Sequence, residues 1–400
     1  KGVIMATNQD PRSEFLKQAM SRRGFLGAVG ATGAAAALAA CGTSSEDSTS
    51  EATTGPTDQT SGENVVWANW TAYLDRKKGS YPTLERFQKE SGYTVEYKED
   101  IDDNASFNGK VEPQVQNGQD IGYDIVTLTD WLAAEWIRKG YSAQIDDSLV
   151  PNKKNIEPAL LDVAFDPGRN QSLTWQSGFA GLVWNKKRVP EGLKTVQDLW
   201  KPELKGKVVV LSEMRDTMGL IMLSQGTDIS QPFTEDQFNN GLDELQKQID
   251  DGQIKQVKGN SYLNDLKNEQ AWAAIAWSGD IFQINAEEGD QWEFVLPESG
   301  GTLWSDNMLM PTTATNMVGA QAVMDYYYDP KVAAEVAAWV NFVCPVQGAQ
   351  AEMEKIDKSL ADSPWIFPDD EILNNSYVFA TLTPEEDVQY SDAFGRVIQG

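Results

Sequence analysis

Five short segments of this 400-residue chain set acidic and aromatic side chains beside one another. They are Asn69-Trp70-Thr71-Ala72-Tyr73, Thr129-Asp130-Trp131, Glu213-Met214-Arg215-Asp216, Trp277-Ser278-Gly279-Asp280 and Trp304-Ser305-Asp306. Four of the 13 tryptophans fall within them, so indole rings recur beside carboxylates in a few places. The chemistry of that pairing is capture of an organic cation. A buried ammonium needs a carboxylate, because an unpaired buried charge is too costly. Each methylene buried against a ring gains about 0.8 kcal/mol, and an ammonium over an indole or phenol face gains about 0.5–2 kcal/mol. Alternating acids and aromatic walls therefore match a linear amine, a methylene chain that carries ammonium groups. Each residue also has a plainer reading. A tryptophan commonly fills a core, Asp130 and Asp216 suit helix caps, and Asp280 and Asp306 suit turns. The recurrence, not any single residue, carries the cation reading.

Composition narrows the alternatives. The chain has no histidine, which removes Ser-His-Asp and Cys-His catalysis, His-ligated metals and the usual neutral-pH proton shuttle. Cys41 and Cys344 are the two cysteines, too few for a disulfide framework or a zinc cluster. No phosphate loop occurs, and no cofactor is expected. With 60 acidic against 33 basic residues, a formal net charge of -27, the chain is unsuited to nucleic acid. Most of that charge reads as a solubilising surface. Carboxylates flanked by tryptophan also fit an anchored glycoside hydrolase, but no specific catalytic motif accompanies them. A purely structural surface lipoprotein would not need such a constellation.

The N-terminal part reads as an address. Arg22-Arg23, a Gly/Ala-rich apolar stretch over 24–40, and Leu38-Ala39-Ala40-Cys41 follow one another in the order of a twin-arginine export signal ending in a lipobox. Cys41 is then the lipidated residue of the processed chain, and Met5 is a candidate start. Residues 1–41 are taken as the signal and 42–62, rich in Ser, Thr, Glu, Asp and Gly, as a flexible tether. Folded structure is expected from about Glu63.

From there strand and helix signals alternate. Val65-Val66-Trp67, the alternating Tyr93/Val95/Tyr97 and Tyr123–Leu128 read as strands, with a helix bearing Leu84 and Phe87 between the first two. Asp130 is placed as the cap of a helix that carries Leu132 and Trp136 and stops at Gly140. A second block repeats the pattern: a strand at Lys207–Leu211, a Thr234/Gln237 capping box opening a helix, and strands at Ala273–Trp277 and Glu293–Leu296. The chain is expected back at the first block near Met308–Pro311, before a helix starting at Asp329-Pro330. Two α/β lobes imply a cleft, the usual seat of a small ligand.

Several segments resemble the bacterial spermidine/putrescine-binding proteins of ATP-driven polyamine importers. They are Asn-Trp-Thr-Ala-Tyr at 69–73, Gly-Tyr-Asp-Ile-Val at 122–126, Asp-Leu-Trp-Lys-Pro-Glu-Leu-Lys-Gly at 198–206, Tyr-Leu-Asn-Asp-Leu at 262–266, Ala-Trp-Ser-Gly-Asp at 276–280, Glu-Ser-Gly-Gly at 298–301 and Asp-Pro-Lys-Val-Ala at 329–333. All occur in that family's order. The resemblance implies an α/β, two-lobed periplasmic-binding-protein fold of type II-like architecture, with crossovers near 176–183 and 302–308 forming a hinge. It assigns 63–178 and 306–375 to one lobe, and 179–305 and 376–400 to the other. It also implies a ligand site. Trp70, Thr71 and Tyr73 would flank a polyamine, with Thr129 and Trp131 as a hydroxyl and aromatic pair and Trp277 and Trp304 as stacking walls. Asp306 would pair with an amine in the middle of the cleft, Asp280 with an amine as in putrescine-type members, and Glu213 and Asp216 with a terminal ammonium. Phe342 stands where some members have tyrosine. Ala72 stands where members commonly have an acid, so Asp75 or Asp130 would have to replace it, and putrescine, spermidine and related amines stay open. A binding protein for another cationic solute, such as an opine or a short peptide, is the nearest alternative. The implied partners are the polyamine, permease subunits and, through the lipid, the outer face of the cell membrane or the periplasm; the implied state is a monomer. Cys344 is expected as a free, buried thiol.

Overall fold

The computed structural model describes residues 59–399. The signal, Cys41 and most of the tether lie outside the described residues. Gln59–Gly62, assigned to the end of the tether, are hydrogen-bonded in place. The Thr60 hydroxyl donates to Ala314, the Gly62 N–H to Asn316, and the Gln321 amide to Gln59. Small polar residues cannot fill a core, but they can satisfy backbone groups at its rim, so ordered contacts begin slightly before Glu63.

The strands are β1 (Asn64–Trp70), β2 (Thr94–Ile101), β3 (Ile125–Thr129), the short hairpin β4 (Asp162–Val163) and β5 (Asp166–Pro167), β6 (Ser172–Asn185), β7 (Val208–Leu211), β8 (Ile254–Lys258), β9 (Ala273–Trp277), β10 (Trp292–Val295), β11 (Gly301–Leu309) and β12 (Ser376–Tyr377). Apart from the hairpin they form one sheet, in the order β2-β1-β3-β11-β6-β9-β7-β8, with β10 against β6 and β12 against β11. Pairing is parallel within β2-β1-β3 and within β9-β7-β8. The joints β3-β11, β11-β6 and β6-β9 are antiparallel.

This pairing defines two lobes and the connection between them. Strands such as Val208–Leu211 and Ala273–Trp277 are buried along their whole length, as parallel strands covered on both faces must be. β6 has 14 buried residues, and at about 3.3 Å per residue it extends roughly 45 Å. It can therefore serve both blocks, and β11 runs beside it from Thr302 opposite Ala180 to Leu309 opposite Ser172. The expected crossovers coincide with these two strands. The return to the first block comes earlier than Met308: Asp306 is already paired with Thr129. A glycine makes the crossing tight. A Cβ on Gly178 would lie 2.5 Å from the Trp304 ring and 2.8 Å from Phe342, so only a bare backbone lets those rings lie on the hinge strand.

Local signals account for the helices. Thr234 and Gln237 form the reciprocal capping box, Asp329 caps the helix Pro330–Val340 with proline at its start, and Gly92 and Gly140 end their helices in the left-handed region. Most strand limits differ from expectation by a residue or two, β3 starting at Ile125 and β10 at Trp292, but β1 runs three residues past Trp67 and β2 four past Tyr97. Just before β3, the buried Asp124 carboxylate accepts the N–H groups of Val66, Thr315 and Asn316 at 2.8–2.9 Å, tying three chain segments together. Asp130 does not cap its helix. The N-cap is Thr129, without a side-chain capping bond, because both side chains are engaged elsewhere.

Arg169 holds the floor beneath the hinge. It is fully buried and donates to the Leu160 carbonyl, the Ser172 and Thr174 hydroxyls and the Asn307 amide oxygen at 2.6–3.1 Å. Burial pulls its pKa down, opposed by the charge of Asp130. Cys344 is free and buried, and burial pushes its thiol up to about 12.

Candidate functional site: an acidic, aromatic cleft between the lobes

β1, β3, β7 and β9 all end at one cavity of about 440 Å³, the position that open parallel sheets offer to ligands. The last residues of β1, β3 and β9 are Trp70, Thr129 and Trp277, and Glu213 lies two residues beyond β7. Every site residue expected from the sequence lines this cavity: Trp70, Thr71, Tyr73, Thr129, Trp131, Glu213, Asp216, Trp277, Asp280, Trp304, Asp306 and Phe342.

Asp306 sits on β11, only 4% exposed. One carboxylate oxygen accepts from the Tyr73 hydroxyl at 2.9 Å and the other from the Thr129 hydroxyl at 2.6 Å. Burial pushes its pKa up to about 7, although the two hydrogen bonds pull it back and the charges of Asp130 and Asp216 add to the rise. Asp216 accepts from Thr302 at 2.6 Å and from the Trp277 indole N–H at 2.9 Å; burial raises its pKa, and those donors resist. Asp280 accepts from Tyr262 at 2.8 Å, and burial takes it to about 7. Glu213 accepts both the backbone N–H and the amide of Asn104 on Oε1, at 2.7 and 2.9 Å. Burial first, then the charge of Asp103, carry it to about 8. Asp130 accepts from the Asn307 amide at 2.7 Å, and its pKa is raised by burial against the pull of Arg169. Each acid is oriented by donors, yet held where ionisation is costly.

The rings form a chain of edge-on contacts. Trp70 meets Trp277 at 5.9 Å, Trp277 meets Trp304 at 6.4 Å, Trp304 meets Phe342 at 5.3 Å, and Phe342 meets Tyr73 at 5.3 Å, with interplanar angles of 65–87°. Tyr73 returns the chain to the loop that begins with Trp70. Trp131 differs from these, because the Arg215 guanidinium lies 4.3 Å from its ring centre and pairs with Asp387 at 2.8 Å.

Sequence reasoning missed part of the wall. In the sequence Arg215 stands out only as a neighbour of acids, and Val378, Phe379 and Asp387 join from the C-terminal segment, where no motif marks them. Thr302, Asn104 and Tyr262 position the acids through bonds that chain spacing does not reveal. Ala72 is not on the wall; it takes φ 58 and donates its N–H to Glu99 at 3.0 Å. Of the two acids considered as its replacement, Asp130 lines the cavity. Asp75 does not; it accepts from the backbone N–H and hydroxyl of Thr83.

The model of the bacterial extracellular solute-binding protein family matches residues 83–364. The chain belongs to this family. Solute-binding proteins of this kind capture and deliver rather than catalyse, and the cleft is the part of the fold that captures. The spermidine/putrescine-binding periplasmic protein 1 of Haemophilus influenzae is 26% identical over 338 residues, covering 84% of this chain and 89% of that protein. The putrescine-binding periplasmic protein SpuD of Pseudomonas aeruginosa is 27% identical, covering 78% of this chain and 86% of that protein. A solved structure from Listeria monocytogenes matches with a TM-score of 0.73 at 25% identity, over 84% of this chain and 99% of that one. Among the described residues no helix is long and apolar enough to cross a membrane.

Proposed function

We propose that this solute-binding protein captures a linear polyamine, putrescine or spermidine, and delivers it to the permease subunits of an ABC importer. One observation carries the reading: six carboxylates and two guanidiniums line a cavity ringed by aromatic side chains. A neutral ligand would leave that excess of acids unpaired, whereas a di- or tricationic amine neutralises it. The rings offer methylene groups apolar contact and ammonium groups their faces. Asp306, hydrogen-bonded by Tyr73 and Thr129, receives an ammonium in the middle of the cleft, and Asp216 and Asp280 receive others. Trp70, Trp277, Trp304 and Phe342 wall the chain, Thr71 and Trp131 complete the rim, and Asp130 takes the place of the acid absent at Ala72. The names of the two curated relatives support the same ligand class.

Isothermal titration with putrescine, spermidine and related short amines is expected to give one saturable site with one protein copy per ligand. An absence of heat and of competition among all of them would overturn the assignment. The protein works as a monomer tethered by a lipid on Cys41 to the outer face of the membrane. Mass spectrometry of the mature N-terminus should find a diacylglyceryl group on Cys41; an unmodified thiol there refutes the anchor.

A further inference from the structure

The strand path starts at β2 and ends at β8, so these two are as far apart in pairing order as this sheet allows. Their carboxyl ends nevertheless touch. Asp102, the residue after β2, accepts twice from the loop after β8. Its carbonyl oxygen takes the Asn260 N–H at 3.1 Å, and its Oδ1 takes the Ser261 N–H at 2.9 Å. Gly259 lies against this contact. A Cβ built on it would stand 2.0 Å from the Asp102 carbonyl oxygen and 2.7 Å from the carbonyl carbon. The obstacle is backbone, which cannot rotate aside as a flexible side chain can. Gly259 is not among the residues at positive φ, so close approach rather than turn geometry is what calls for glycine there. Two residues beyond Asp102, Asn104 is fastened to Glu213 by the pair of bonds described above. Residues 102–104 of one lobe are thus attached to the other lobe at two places.

We infer that Asp102 and Gly259 form a clasp across the mouth of the cleft that sets how long a bound ligand stays, without taking part in choosing it. Neither residue lines the cavity, and the donors to Asp102 are backbone amides, which are indifferent to the identity of the ligand. These amides align only when the two loops approach to glycine distance, so the clasp exists in the closed form alone. Its loss therefore falls on the exit step rather than on encounter. The inference rests on the polyamine reading only for the choice of probe.

Binding and release of putrescine and spermidine can be followed by stopped-flow tryptophan fluorescence on the wild-type protein and on Asp102→Ala, Asp102→Asn and Gly259→Ala. Release from Asp102→Ala is expected to be about three- to tenfold faster, the worth of one net hydrogen bond. Gly259→Ala should exceed roughly tenfold because its closed form is overpacked against backbone. Association rates and the order of preference between the amines should not change, and Asp102→Asn, which keeps an acceptor oxygen, should restore wild-type release. Unchanged release in both Asp102→Ala and Gly259→Ala, or an altered amine preference, overturns the clasp. A second readout is the distance between spin labels on the two lobes, which needs no amine. The wild type should show a short-distance population that Gly259→Ala lacks, and matching distributions overturn the clasp. Failure of the wild type to bind either amine counts against the polyamine reading and leaves this distance test to decide the clasp.

Discussion

Asp306→Asn is expected to weaken putrescine and spermidine binding by about 2–4 kcal/mol, a loss of affinity of thirty- to several-hundredfold. The substitution keeps the size and one acceptor oxygen of the side chain, so the Thr129 hydroxyl can still be satisfied. What it removes is the charge, at a position 4% exposed and surrounded by indole and phenol rings. An ammonium that enters such a place without its counterion loses its water and gains little in return. Folding should respond the other way. The carboxylate is held where burial disfavours ionisation, so its neutral replacement should leave the ligand-free protein as stable as before, or more stable, at pH 8. Calorimetric titration and thermal unfolding measured on the same preparation separate the two effects. An affinity within threefold of wild type would remove Asp306 from the ligand.

The second large effect is that of pH. Asp306 and Asp280 are raised to about 7 and Glu213 to about 8, whereas in the unfolded chain they titrate near 4. Between these limits the folded, ligand-free protein binds more protons than the unfolded chain, so its stability falls as pH rises from about 4 to 8. Ligand binding has the opposite sign. A cationic amine requires ionised acids, so protons leave as it enters, and affinity rises with pH until the acids are ionised. For each carboxylate that titrates near 7 and must ionise, affinity at pH 5 should be about fiftyfold below that at pH 7. The gain ends well before alkyl ammonium groups lose their protons near pH 10. Titrations in two buffers of different ionisation enthalpy count the protons released. A flat affinity between pH 5 and 7, with no protons released, would mean that the acids are already ionised in the empty cleft.

Much of this arrangement was legible before folding was considered. Short-range rules mark the helix limits at Thr234, Asp329, Gly92 and Gly140, because caps and left-handed residues act within a few positions of themselves. The acid–aromatic segments were legible for a related reason. Each sits at a strand's end or at the hinge, and parallel strands that end together bring their next residues together. Asp130 shows where this reasoning stops. Its spacing suits a cap equally well, and only Asn307, arriving on β11 from far along the chain, turns its side chain to the cavity. Glu213 is a similar case. Nothing local announces that Asn104 will occupy its Oε1 from the opposite lobe. The contribution of Val378, Phe379 and Asp387 left no signal, since an irregular segment carries no periodicity to read.

Residue order alone settled what the cleft is made of, namely carboxylates set beside rings, no histidine and no metal-binding pattern, because those are properties of composition and of neighbours in the chain. Long-range pairing settled how the parts act. The register of β3 on β11 places Asp306 opposite Thr129 and within reach of Tyr73, burial lifts the acids out of their ordinary range, and the meeting of the far edges of the sheet at Gly259 closes the mouth. Desolvation and steric approach depend on atoms brought from distant positions, and no spacing along the chain encodes them.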